Sequence, residues 1–586
     1  MKELWKFIWA LIAVATIIAA QAPKIDLALL GPIYQPAANS SFKAFDDARA
    51  QATEAIKQII SSGNSTYGPF DQDTTSFSVS VFSKNDDALL FEFHYEASEL
   101  NGSYTKGSLT ENTIYRTGSL GKLMTVYTWL VNIGDSVFSD PITKYIPELA
   151  QAEASYIDPI LSTNWSEITI GALASHQSGL GRDWHLTDMA LTTFEQPPVS
   201  VVEQSGYPVL ANDEVVQCNF YGNQPSCTRS QALDGIINHP PSFLPYSTPS
   251  YSNIAFILLS LAYETITGES IDQGQHEVLN SRLGMVSTTP RPPGGEIDAI
   301  IPFNDTFARF HHDLGLLSPV GGQYTTLKDL QTWGRAILNS TLLPRAQTDR
   351  WLKPRSFTSQ WHSAVGAPFE IYRHPIPANS IINSSRIIDT YCKQGGLFVY
   401  STYFGLVPDL DIGISLLSAG VNSDRQIPPI RDTLVQIFYQ AAEAAAKEQA
   451  KTAFTGTYQS SSGNSSITLA VDGGPGVAVT SWTSNGVNFL DTVLLSSYNS
   501  LRLYPTKRKT EKDGIEYYGY HLELLPNNGE PTTADFWNHL DEWWIQMDTL
   551  IYNNLATDAF TIGFDKDGIV QSVASQALRT ILYRIA

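Results

Sequence analysis

The chain has 586 residues, 43% of them hydrophobic and 16% charged; this supplies a large core and too little charge for a disordered chain. At roughly 100–200 residues per domain, the length asks for at least two domains. Lys and Arg number 37 against 58 Asp and Glu, a net charge of −21, which excludes nucleic-acid binding through a broad basic face.

The first twenty residues read as a targeting segment. Lys2 and Lys6 precede the apolar stretch Phe7–Ala20, and Ile18-Ala19-Ala20 offers small residues for cleavage before Gln21. The stretch is short against the roughly 20 residues of a spanning helix. Residues 1–20 are therefore expected to be a signal peptide, the product to be secreted, and no stable membrane span to remain after cleavage.

Residues 21–64 form an N-terminal segment with a helix over about Phe45–Ile60. Phe77–Phe82 and Ala88–Tyr95, separated by Asn85-Asp86-Asp87, read as a β-hairpin. From Ile114 to about Leu352 the pattern is mainly helical, with Pro-, Gly- and Ser-rich loops. Strand patterns return at Gly396–Val407 and Ile412–Leu417, and a helix rich in Ala and Glu runs from about Pro428 to Lys451. Residues 65–450 thus predict an α+β domain, an antiparallel sheet carrying helices.

Residues 451–586 read as a separate, smaller, mostly-β domain, a barrel or sandwich. Its strand-like runs are Ser466–Val471, Gly476–Trp482, Tyr517–Leu524, Ala559–Phe564 and Ile569–Ser575. Asp567-Gly568 is a hairpin signal, and Asp565–Gly568 lacks the downstream ligands of a calcium loop. Lys507-Arg508-Lys509, followed by Glu511 and Asp513, reads as a solvated turn.

Cys218 and Cys227 flank a turn-forming loop and are expected to form a disulfide, with Cys392 a buried thiol; two free surface thiols are the alternative. Asn-X-Ser/Thr glycosylation sequons stand at Asn39, Asn64, Asn101, Asn164, Asn304, Asn339, Asn383 and Asn464.

The chemistry concentrates in three short elements. Ser119 and Lys122 form S-x-x-K at the head of an apolar helical run, where positions i and i+3 share a face. A poorly solvated lysine there can lose its proton and activate the serine, while the helix start supplies donors for an oxyanion. Tyr251-Ser252-Asn253 gives Y-x-N before a second apolar helix. Lys393-Gln394-Gly395 gives K-x-G at a strand start. One such motif is weak; three in this order and context are specific.

On these residues the chain resembles the serine β-lactamase and penicillin-binding-protein-like superfamily, in particular its class C-like branch and its secreted fungal members. Asp140–Leu149, Leu173-Ala174-Ser175-His176-Gln177-Ser178-Gly179-Leu180 and Ser318–Thr326 are similar to further blocks of that branch. The resemblance spans about residues 65–445 and implies a β-lactamase/transpeptidase-like domain. It implies Ser119 as acylated nucleophile, Lys122 as proton acceptor, Tyr251 as proton relay and Lys393 as the cation that holds the site positive. Asn253 would orient substrate or the lysine. Gly395 and Gly396 would border the substrate, the N–H groups of Ser119 and Gly396 forming the oxyanion hole. Gln394 and Gly396 stand where β-lactamases usually carry hydroxyls, so the grip on a β-lactam carboxylate is expected to be weak and esters, thioesters or amides are preferred.

The expected function is a serine hydrolase or acyltransferase working through an acyl-enzyme on a small-molecule acyl substrate, with a role in secondary metabolism implied by the resemblance. The alternative is an inactive binding or structural protein of the same fold; a pure binder has no chemical need to keep all three ionisable groups. No G-x-S-x-G elbow surrounds Ser119, and Arg116 and Leu123 break a P-loop. No cofactor or metal is expected: His311-His312-Asp313 reads as a structural turn and His176 as a packed core residue.

Overall fold

The computed structural model describes residues 30–585 except 154–157, 159, 185–189, 191–198, 212–213, 216–217, 219–224, 378, 382–385, 493–497 and 527–546. The expected signal segment and Asn383 lie outside the described residues. Two compact units emerge, one of residues 38–373 and 389–439, the other including 30–37, 374–388 and 440–585.

In the first unit, helix α1 (Lys43–Ser62) ends at Gly63, whose left-handed φ of 64° stops the helix. The hairpin β1 (Thr75–Ser83) and β2 (Leu89–Tyr95) follows. Three helices matter most: α2 (Gly121–Asn132), α3 (Ile254–Thr267) and α4 (Leu327–Leu338). Every residue from Gly121 to Leu130 is buried, as expected of a helix with no broad polar stripe. Its partners are aromatic. Tyr127 stacks on Trp351 at 5.6 Å, and Trp333 of α4 stacks at 4.9 Å on Phe404 of the sheet, a pair that contributes about 0.5–1.5 kcal/mol beyond area burial.

The sheet has eight strands. Beyond the hairpin these are β3 (Ser356–Phe357), β4 (Ser363–Val365), β5 (Glu370–Ile376), β6 (Arg386–Leu397), β7 (Tyr400–Val407) and β8 (Ile412–Gly420), in the order β2-β1-β8-β7-β6-β5-β4-β3. β8 returns antiparallel to β1 with Ser415 opposite Ser80, so chain segments more than three hundred residues apart lie side by side in the sheet. Two expectations need correction. The run taken as one strand, Gly396–Val407, is a hairpin folded at Phe398, which adopts a left-handed φ of 54°. Lys393 therefore stands inside β6, which begins at Arg386, rather than at a strand start.

Helix α5 (Ile427–Phe454) leads out of the sheet. In the second unit an antiparallel ring runs through Gly456–Gln459, Thr580–Ile585, Val570–Ser575, Ala559–Phe564, Ile515–Pro526, Tyr498–Lys512 and Val477–Ser484. Pairing of Val477–Ser484 with Ser466–Ala470, itself paired to Gly456–Gln459, closes the barrel. Closure satisfies the edges that an open sheet leaves bare. Asp565 and Gly568 form the expected hairpin turn. Lys507-Arg508-Lys509 is not a turn: it lies in the strand Tyr498–Lys512, at a register shift between Pro505 and Lys509. The extra residues of that bulge let the three basic side chains remain exposed on the barrel wall.

Among the described residues no single helix is long and apolar enough to cross a membrane.

Candidate active site

Ser119 sits in the tight turn Gly118–Leu120 that feeds α2. Gly118 has φ of +54°, and a Cβ there would lie 2.7 Å from the Gly396 backbone; one on Gly395 would lie 2.0 Å from the Thr117 carbonyl and 2.9 Å from the Ser119 nitrogen. Strand β6 and the serine turn therefore meet backbone to backbone, and only glycine at these positions permits it. Gly395 and Gly396 are placed beside the nucleophile turn, as the K-x-G pattern requires.

One helical turn on, Lys122 Nζ lies 3.0 Å from Ser119 Oγ and donates to the Val320 carbonyl at 2.9 Å. It is fully buried. Burial, reinforced by the Lys393 charge, pushes its ammonium down to about 8 against the opposing pull of Tyr251. Tyr251 OH is 2.7 Å from the same Oγ. Burial alone would raise the phenol; Lys122 and Lys393, 5.0 and 5.3 Å from the ring centre, outweigh it and hold the group below its usual range. Ser119, Lys122, Tyr251 and Lys393 are thus brought together from the turn before α2, α2 itself, the turn before α3, and β6.

Lys393 is buried and ion-paired to Glu370 of β5; it also donates to its neighbour's carbonyl, Gln394 O, at 2.7 Å. Glu370 takes the Gln394 N–H at 3.1 Å on its other oxygen. Burial alone would lower the lysine, but the carboxylate wins and raises it. The Asn253 amide donates to Asp183, and its buried carbonyl oxygen has no hydrogen-bond partner among the described residues. Its backbone N–H donates to the Arg182 carbonyl at 2.7 Å. Asp183 also pairs with Arg182 Nε at 3.2 Å.

Sequence reasoning missed Glu370, Arg182 and Asp183. The β-branched and aromatic pair Ile371-Tyr372 signals a strand that could have exposed the first; Arg182-Asp183 carries no local signal. His176 is buried as expected, with Nδ1 accepting the Ser252 N–H at 3.1 Å, and it stands directly against Tyr251. His311 pairs with Asp305 at 2.9 Å, consistent with a structural role. Cys218 and Cys227 are bonded and Cys392 is a buried thiol. Asn39, Asn64, Asn101, Asn304, Asn339 and Asn464 are exposed, and Asn164 is partly so.

A serine turn, a buried lysine and a tyrosine against an eight-stranded antiparallel sheet define a β-lactamase/transpeptidase-type domain. The family model "Beta-lactamase" matches residues 93–436, and the chain belongs to that family. A second model, "Beta-lactamase-like-like, C-terminal domain", matches residues 446–586. The chain is 28% identical to a "Beta-lactamase-like protein" of Arthroderma benhamiae over 98% of both chains. It is 26% identical to "Probable hydrolase M10" of Phoma sp. over 75% of this chain and 70% of that one. With the "D-alanyl-D-alanine-carboxypeptidase/endopeptidase AmpH" of Escherichia coli it shares 24% identity over 52% of this chain and 70% of that one. A solved class C beta-lactamase aligns with a TM-score of 0.46 and 16% identity, covering 67% of this chain and 96% of that one.

Proposed function

We propose that this protein is a serine hydrolase that cleaves ester, thioester or amide bonds through an acyl-enzyme on Ser119. The observation that carries the reading is the placement of one serine oxygen within 3.0 Å of Lys122 Nζ and 2.7 Å of Tyr251 OH. Each neighbour is perturbed toward its proton-accepting form: the amine because burial disfavours its charge, the phenol because two lysines favour its anion.

In acylation, Ser119 Oγ attacks the carbonyl carbon as its proton passes to Lys122 or Tyr251. The oxyanion is met by the N–H of Ser119 and that of Gly396. Collapse breaks the bond to the leaving group, which takes the proton from Tyr251. Water, or another nucleophile, then attacks the acyl carbon, gives its proton to the same relay and releases the acid or the transferred acyl product. Lys393, ion-paired to Glu370, keeps Tyr251 poised between its two states.

Secretion through the signal segment and glycosylation at the exposed sequons are part of the proposal, and the disulfide fits an oxidising compartment. A role in secondary metabolism is the corresponding biological proposal. The test is a screen of p-nitrophenyl esters with the native protein and Ser119→Ala. Turnover and fluorophosphonate labelling present in the first and absent in the second, at equal fold by circular dichroism, support the reading. Labelling that persists in Ser119→Ala contradicts it.

A further inference from the structure

We propose that Arg182 is the specificity residue that binds a free carboxylate on the leaving group of the substrate. The inference rests on the acyl-enzyme reading above and extends it to the class of substrate. Arg182 Cζ lies 4.8 Å from the centre of the Tyr251 ring, and Tyr251 is the residue that hands a proton to the departing group. Two other cations flank the same ring, but Lys122 and Lys393 are buried and engaged with Ser119 and Glu370. Arg182 differs from both: its side chain is 67% exposed.

The arginine is nevertheless held. Nε pairs with Asp183 at 3.2 Å, Asp183 is 6% exposed, and its other oxygen accepts from the Asn253 amide. Asn253 N–H in turn donates to the Arg182 carbonyl at 2.7 Å. Backbone and side chain of one residue are thus tied into the Y-x-N segment that carries Tyr251. A guanidinium has five N–H donors in a rigid fork. The Asp183 contact is an ion pair at Nε without a hydrogen bond, and it leaves the terminal NH₂ groups as the pair suited to bidentate capture of a carboxylate.

The rest of the chemistry creates the need. A chain of net charge −21 repels an anionic substrate at long range, and the third motif offers Gln394 and Gly396 where hydroxyl donors would otherwise assist. Carboxylate recognition, weak at that strand by composition, finds its donors across the tyrosine instead. This revises the expectation that carboxylate-free substrates are preferred: a carboxylate on the leaving group is favoured when it can reach Arg182.

The test uses the full-length protein and one matched pair of thioesters, S-benzoyl thioglycolate and S-benzoyl thioglycolamide, which differ only in the leaving-group carboxylate. Native protein should favour the acid in kcat/KM, through KM. Arg182→Gln should lower the acid-to-amide ratio roughly ten- to a hundredfold, as expected for loss of one charge-assisted contact, and Arg182→Lys should restore part of it. An unchanged ratio overturns the proposal. So does a parallel fall for both substrates with a displaced pH profile, which would make Arg182 a tuner of Tyr251. Binding of hippurate against hippuramide to Ser119→Ala, with and without Arg182→Gln, gives a second readout free of turnover. A preference for hippurate that vanishes with Arg182 sustains the carboxylate site even where the native protein forms no acyl-enzyme. Equal binding of the two ligands rejects the site even where the acyl-enzyme forms.

Discussion

The His176 imidazole stacks on the Tyr251 ring with centroids 4.5 Å apart and planes 24° from parallel. The same residue accepts the Ser252 N–H on Nδ1 and the Ser250 N–H on its carbonyl. His176 is thus a template for the whole Tyr251 turn. Burial and the charges of Lys122, Lys393 and Arg182 drive its pKa well below the ordinary value, so the ring stays neutral and Nδ1 stays an acceptor. His176→Ala should lower kcat/KM roughly hundredfold, the scale of a small misplacement in a reacting site, and should shift the pH profile because Tyr251 moves relative to the two lysines. His176→Phe should recover part of the rate by restoring the stack without the Ser252 bond. Loss of rate with an unmoved pH profile would reduce His176 to a core residue.

Lys122 and Tyr251 should behave as one unit. Lys122→Ala and Tyr251→Phe each remove most of kcat/KM, and the double variant loses little more; additive losses would separate them. With the ammonium at about 8, the free amine accumulates as pH rises through that value, so kcat/KM should climb along a limb near 8. Lys122→Arg, charged at every accessible pH, should erase that limb.

The Glu370–Lys393 pair makes a prediction about stability. Lys393 has 2% of its side chain exposed and Glu370 30%. Glu370→Ala leaves a buried ammonium unpaired, so it should cost on the order of 2–4 kcal/mol, at the lower side of the buried-pair range because Glu370 is partly solvated. Because Lys393 is raised above its ordinary 10.5, the pair's contribution is complete below that pH and is lost as pH rises through the higher folded value. Urea unfolding at pH 7 and pH 11 checks both: a variant as stable as the native chain at pH 7 would contradict the assignment.

Thiol chemistry separates the three cysteines. Native protein should resist iodoacetamide at Cys392, where burial and the nearby Glu370 push the thiol up, and Cys218 and Cys227 should be alkylated only after reduction. Denaturation without reductant should therefore expose one reactive thiol per chain. Peptide mapping that finds Cys392 bridged would reject this.

The site was legible where its chemistry is local. Ser119 and Lys122 are one helical turn apart, and Tyr251 and Asn253 precede an apolar helix, so spacing and periodicity suffice. Lys393 is recognisable through Gly395, whereas the start of its strand at Arg386 is not, because Arg386-Ile387-Ile388-Asp389-Thr390-Tyr391 lacks a period-2 alternation of polar and apolar residues. Glu370 was not legible: its partner lies on a neighbouring strand, and strand pairing is set by the assembled sheet. The same holds for Arg182, whose position over Tyr251 depends on Asp183 and Asn253 meeting from segments 70 residues apart. In the C-terminal barrel the alternation of short strands was readable, whereas its closure through Ser466–Ala470 and Val477–Ser484 follows from curvature that single strands do not encode.

The most direct test of the account is the covalent intermediate. The native protein is mixed with S-benzoyl thioglycolate, quenched in acid within the first turnovers and mapped by peptide mass spectrometry. The account predicts a benzoyl adduct on the peptide bearing Ser119, absent from Ser119→Ala and accumulating in Tyr251→Phe if deacylation is slowed more than acylation. Turnover of the thioester with no adduct at Ser119, or an adduct on another residue, would contradict it.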